Sequence, residues 1–184
     1  MADRLAHLRQ KMRENQLDGF LISSLSHIRY LTHFSGSNAL AFVTNDQFLL
    51  VTDRRYREQV RHEVEHASVA IAERDLLSAL VDSKIADSCK RIGFEGSHLN
   101  FRLFDTLRKL FPKRQYVSTE SWLEHITTQK TAAEIKSTRR ACDLTIETWQ
   151  KTMPHIRAGA EEIEIAAELS YQARKLGTET DAFE

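Results

Sequence analysis

Apolar residues in the first two-thirds of the chain follow two alternating rhythms, short solid runs and four-residue recurrences. Leu5, Leu8 and Met12 stand at helical spacing among charged residues, which predicts an amphipathic helix ending near Gln16. Phe20-Leu21-Ile22, after Gly19, reads as a short buried strand. Leu40 to Val43 and Phe48 to Val51 flank the turn residues Asn45-Asp46 and predict a hairpin. Tyr56, Val60 and Val64 recur every fourth residue, so a helix is expected after Asp53. Val69-Ala70-Ile71 is a strand, and Leu76, Leu77, Leu80, Val81 and Ile85 mark a helix. Ile92-Gly93-Phe94-Glu95-Gly96 is a strand running into a turn. Asn100 caps a helix whose face is Phe101, Phe104, Leu107 and Phe111, and Pro112 lies at its end. Tyr116-Val117 is a last strand, followed by a brief helix around Trp122. Strands alternating with helices, interrupted by one hairpin, predict an α/β fold: a mixed sheet covered on both faces by helices, over residues 1–128.

The rhythm changes near Thr127–Lys130. Thr131-Ala132-Ala133-Glu134 is a capping box that opens a long helix with the stripe Ile135, Cys142, Ile146, Trp149 and Met153. Arg157-Ala158-Gly159 breaks it. A second helix follows from about Glu161 to Leu176, with Gly177 as its C-cap. Asp181-Ala182-Phe183-Glu184 begins something further. Residues 129–184 therefore read as the start of a second domain.

Composition narrows the classes. The 184 residues carry 26 Lys+Arg against 26 Asp+Glu, a formal net charge of zero. That argues against nucleic-acid binding, which usually shows a basic excess. No apolar run reaches membrane-span length. The N-terminus lacks a signal-peptide core, so a cytoplasmic location is expected. The two cysteines, Cys89 and Cys142, lie far apart in helical patterns, and reduced, buried thiols are the default.

Candidate chemistry centres on His27 to Ala39. Arg29, Tyr30 and His33 bring a cation, a phenol and an imidazole to the small-residue loop Ser35-Gly36-Ser37-Asn38. There Gly36 permits a positive φ and Asn38 tolerates one. A functional loop and a plain Ser/Asn-rich turn both fit. In Thr52-Asp53-Arg54-Arg55-Tyr56, Asp53 suits a helix N-cap and Arg55 could grip a carboxylate bidentately. An N-cap with a surface arginine and a core tyrosine is the simpler local reading. His62-Glu63-Val64-Glu65-His66 fits the zinc pattern H-E-x-x-H. Its helix is charged nearly all round and no third ligand follows, so a solvated helix end is favoured. Glu95 is read as a strand-end structural residue, and the remaining histidines are assigned no role.

Taken together, several segments resemble the creatinase/aminopeptidase P/prolidase family of pita-bread metallopeptidases. The family's N-I-R-Y-L-T-G-F-x-G-S segment matches His27 to Ser37, its T-D-G-R-Y-x-x-Q matches Thr52 to Gln59, and its I-G-F-E-x-x-x-L matches Ile92 to Leu99. Lys130 to Ile135, Ile156 to Leu169 and Gly177 to Glu184 match its K-x-x-x-E-I, I-x-P-G-x-x-E-x-E-x-A-A-E-L and G-x-x-x-x-A-F-E runs. His33 and Arg54 replace glycines, Ala158 replaces a proline, and Glu161 stands where a threonine often caps the following helix.

The resemblance implies a creatinase-type N-terminal domain at residues 1–128 and the first two helices of an incomplete pita-bread catalytic domain at 129–184. It implies the N-terminal, dimerising and substrate-restricting part of an Xaa-Pro peptidase, of aminopeptidase P or prolidase type. Short Xaa-Pro peptides would be the substrates of the intact homodimer. Two divalent metals, Mn, Co or Zn, would activate water there. The family's ligands for them lie beyond its A-F-E segment, so this chain is expected to hold neither metal and to be inactive alone. Tyr30, His33, Arg55 and Tyr56 are the expected substrate-cleft or interface groups. A creatinase-like hydrolase of small amides and a non-catalytic binding module of the same family are the alternatives.

Overall fold

A computed structural model describes residues 2–179. They fall into two compact units, Met1–Thr128 and Gln129–Glu184.

The first unit runs α1 (Ala2–Glu14), β1 (Gly19–Ile22), α2 (Leu25–Thr32), β2 (Ala39–Thr44) and β3 (Phe48–Asp53). A 3-10 turn (Arg54–Tyr56) then leads to α3 (Gln59–Glu63), β4 (Ser68–Ala72), α4 (Leu76–Asp82), β5 (Arg91–Glu95), α5 (Phe101–Leu110), β6 (Gln115–Thr119) and α6 (Trp122–Thr128). The strands form one sheet in the order β4-β3-β2-β1-β5-β6. Strand β2 is antiparallel to both neighbours, and the other pairs are parallel. The carboxyl ends of β1, β3, β4, β5 and β6 therefore share one rim with the amino end of β2.

Successive strand residues point to opposite faces, and each face has its own core. Phe20, Ile22, Ala41, Val43 and Leu50 join Leu8 and Met12 of α1, Ile28 and Leu31 of α2, Val60 of α3 and Leu123 of α6. Leu21, Phe42, Leu49, Val51 and Ile92 join Leu77 and Leu80 of α4 and Leu107 of α5. The sheet is thus covered on both faces, as its solid apolar runs imply. Gly93 is where β5 must stay bare: a Cβ there would lie 2.5 Å from Leu17 Cδ1 and 2.7 Å from Phe20 Cδ2.

Two expectations change in this unit. The helix after Asp53 is split, because Asp53 draws in the Arg55 amide two residues on and tightens the start into a 3-10 turn. Cys89 is buried as expected, but in a turn rather than a helix.

The second unit holds α7 (Ala132–Thr152), a 3-10 turn (Met153–His155) and α8 (Glu162–Lys175). The Thr131 box closes both ways: Thr131 Oγ1 accepts the Glu134 amide at 3.2 Å, and Glu134 Oε2 accepts the Thr131 amide at 2.7 Å. At α8 the Glu161 amide donates to Glu164 Oε2 at 3.2 Å. Gly177 takes φ +97° just past the helix. The α7 stripe is not a core: Ile146, Trp149 and Met153 are about half exposed, and Cys142 is exposed rather than buried. A pair of helices covers one seam and leaves the rest of such a stripe bare. The Asp181–Glu184 segment lies outside the described residues.

Candidate functional site

The rim carries two polar clusters. One is built on the loop between α2 and β2. Helix α2 ends at His33, whose amide donates to the Arg29 carbonyl at 2.8 Å with φ 67°. This left-handed C-cap favours glycine, which accounts for the family motif's usual residue there. Gly36, which permits a positive φ, and Asn38, which tolerates one, do not adopt it. Gly36 serves instead for space, because a Cβ would stand 2.2 Å from the Phe34 ring. Phe34 is buried beneath the loop, and Tyr56 meets it edge-on at 5.4 Å.

The turn after β3 holds this loop. Asp53 Oδ1 accepts the Arg55 amide and Nε, each at 3.0 Å. Its Oδ2 accepts Arg55 Nη2 at 2.8 Å and Asn38 Nδ2 at 2.6 Å. Those bonds, Arg55 first and then Asn38, hold the Asp53 carboxyl far below the usual carboxylate range. Ser37 donates its amide to the Tyr56 hydroxyl at 3.1 Å, with the two hydroxyls 2.7 Å apart, and these bonds lower the phenol. Glu63 accepts the Ser35 amide at 2.8 Å, the Ser35 hydroxyl at 2.8 Å and Gln59 Nε2 at 3.0 Å. Burial pushes Glu63 up, but these bonds outweigh it and hold the carboxyl low. The carboxylate that Arg55 grips is thus its own Asp53, with Nε and Nη2 engaged.

The second cluster sits where β1 and β5 run side by side and the chain leaves them in opposite directions across the sheet. Ligands of open α/β sheets collect at such a place. Glu95, the last residue of β5, is 6% exposed. Its Oε2 accepts the amides of Ser23 and Ser24 at 2.7 and 2.9 Å, and its Oε1 faces His27 Nδ1. The strand-end structural role read for Glu95 holds, with His27 as a partner the sequence did not suggest. Burial alone would lower the His27 imidazole, but the bond to and charge of Glu95, with Glu124 behind them, raise it. The His98 ring meets the His27 ring edge-on at 5.3 Å, and His98 Nε2 lies 3.3 Å from Glu124 Oε1. His27, His98 and Glu124 each offer a donor atom, all within 4.8 Å of one another. No local pattern assigns these histidines a role, because the partners are 26 to 68 residues apart. The one local signal is the acidic residue closing a buried strand.

Between the clusters lies a cleft of about 270 Å³, lined by Ser37, Asn38, Leu25, His98, Asn100 and Leu103 among others. Of the four expected site residues, Arg55 and Tyr56 stand together beside the loop, and His33 is exposed at its start. Tyr30 is turned elsewhere: Arg4 lies over its ring at 4.0 Å, and its hydroxyl reaches toward the Ile126 carbonyl of α6 at 3.5 Å. The H-E-x-x-H run cannot chelate from one helix face. Helix α3 stops at Glu63, Val64 is extended and His66 has φ 63°.

Residues 4–126 match the family described as "Creatinase/Prolidase N-terminal domain". An uncharacterized peptidase of Bacillus subtilis, YqhT, is 26% identical over 181 residues, 98% of this chain and 51% of the relative. An Xaa-Pro dipeptidase structure from Bacillus anthracis superposes with a TM-score of 0.91 at 22% identity, over 99% of this chain and 51% of that one. An X-Pro aminopeptidase from Thermotoga maritima superposes at 0.84 with 28% identity, over 91% and 49%. The chain thus spans about half the length of the relatives it matches. The six-stranded mixed sheet, its two helical layers and the matched residues lead to one conclusion: this chain belongs to the creatinase/prolidase N-terminal domain family.

Proposed function

We infer that the chain is the N-terminal part of an Xaa-Pro peptidase, where it shapes the substrate cleft and contributes to a dimer in the cytoplasm. The observation that carries this reading is the continuous match, over 98% and 99% of the chain, to a peptidase and to the fold of an Xaa-Pro dipeptidase. The rim supports it. Asp53, Tyr56 and Glu63 fasten the loop at Ser35, Ser37 and Asn38, so these are positioning groups. His33 and Arg55 are exposed, and Arg55 keeps Nη1 for a single contact with a peptide carboxylate.

The resemblance assigns the intact enzyme two divalent metals that activate water. Among the described residues, the cluster of two histidines and one carboxylate is too small to hold a pair of ions. The test is kcat/KM of Arg55→Ala and His33→Ala in the full-length protein, on Xaa-Pro dipeptides and on longer Xaa-Pro peptides. Loss of one Arg contact to a carboxylate should lower kcat/KM about tenfold or more for at least one length class. Unchanged values for both variants across the series would sink the reading.

A further inference from the structure

We propose that His27, His98 and Glu124 form a binding site for one divalent transition-metal ion of the zinc type. The three donors come from α2, the β5–α5 turn and α6, which the sheet brings to one point on the rim. Imidazole, imidazole and carboxylate are a common zinc donor set, with a water completing a tetrahedron.

Three observations separate this cluster from a chance grouping of surface charges. First, His27 is held at Nδ1 by the buried Glu95, which leaves Nε2 as the nitrogen for a metal. A carboxylate fixing the far nitrogen is the usual outer partner of a metal-bound histidine. Second, Glu95 is itself fixed by the Ser23 and Ser24 amides, so the support is rigid. Third, a cavity of about 10 Å³, about one water, borders two of the three donors, His98 and Glu124, and the supporting Glu95.

His98 Nε2 and Glu124 Oε1, 3.3 Å apart, already suit a tetrahedron with zinc bonds of about 2.0–2.2 Å, and the His27 donor, within 4.8 Å of both, requires at most a small closure. The side chains of His98 and Glu124 are 38% and 44% exposed and can make it.

The experiment is calorimetric titration of the 184-residue chain with Zn²⁺, and visible absorption with Co²⁺ in its place. One equivalent of Zn²⁺ should bind with a Kd of about 10 μM or tighter. Co²⁺ should give the intense d–d bands of a four-coordinate site. His98→Ala and Glu124→Gln change exposed groups, and each should weaken Zn²⁺ binding about 100-fold or more, beyond the 10–100-fold of an outer-partner loss. His62→Ala with His66→Ala should bind as the parent does. No Zn²⁺ binding up to about 1 mM, or parental affinity in His98→Ala and Glu124→Gln, overturns the proposal. So does loss of binding in the His62/His66 variant alone.

Discussion

Asp53 and Glu95 are each the last residue of a strand, β3 and β5, and each gathers donors at the same rim. Their surroundings differ. The Asp53 side chain is 23% exposed and binds mostly side chains within one turn or across an exposed loop. The Glu95 side chain is 7% exposed and binds backbone amides of the β1–α2 connection and a buried imidazole of α2, about 70 residues away. Water can replace Asp53's partners, whereas nothing replaces those of Glu95. The first carboxylate therefore shapes a loop and the second holds sheet and helix together.

The largest expected effect follows from that contrast. Glu95→Ala leaves the buried Ser24 amide, the half-buried Ser23 amide and a buried imidazole unpaired, and should reduce unfolding free energy in urea by about 3 kcal/mol or more. Asp53→Ala in the same titration should lose clearly less. Equal losses would break the comparison.

Gly36→Ala comes next, on the loop side. Its methyl must displace the buried Phe34 ring, for a loss of roughly 1–3 kcal/mol by thermal melts, with far-UV spectra unchanged. His33→Gly should act in the opposite direction, because it relieves a left-handed non-glycine residue and stabilises by about 1 kcal/mol. A destabilised His33→Gly protein would mean that the ring makes a contact worth more than the strain.

The smallest effect is on the acid limb. Asp53 and Glu63 are both lowered in the fold. Their contribution is present above the ordinary carboxylate value of about 4 and is lost as pH falls through the folded values. Asp53→Asn with Glu63→Gln should flatten the fall in urea midpoint between about pH 5 and pH 2. An unchanged slope would show that other carboxyls set that limb.

What the sequence made legible follows the same divide. The hairpin, the Asn100 cap and the Thr131 box are written in neighbouring residues, and all are present. The Asp53 cap was equally readable. Arg55's grip on its own Asp53 was not, because an arginine's partner cannot be read from its neighbours. Composition shows only that Gly36 permits and Asn38 tolerates a left-handed φ in the α2–β2 loop, whereas the geometry puts it at His33. Glu95 read as structural because its strand is short and buried. Its link to His27 depends on β1 pairing with β5, which no local pattern encodes. Helical spacing marks the α7 stripe as one face of a helix and does not report what covers it, which is why its exposure was not legible.

The strand order also imposes an order in time. Strands β1, β2 and β3 pair as sequence neighbours, whereas Gly19 meets Ile92 only after a long loop closes. Closing it loses more chain entropy than forming the hairpins does, so the meander can form first and β5 joins late. Until then the Ser23 and Ser24 amides and the His27 ring have only water as partners. Glu95 thus acts as a latch, engaged only when the two halves of the sheet have met in register.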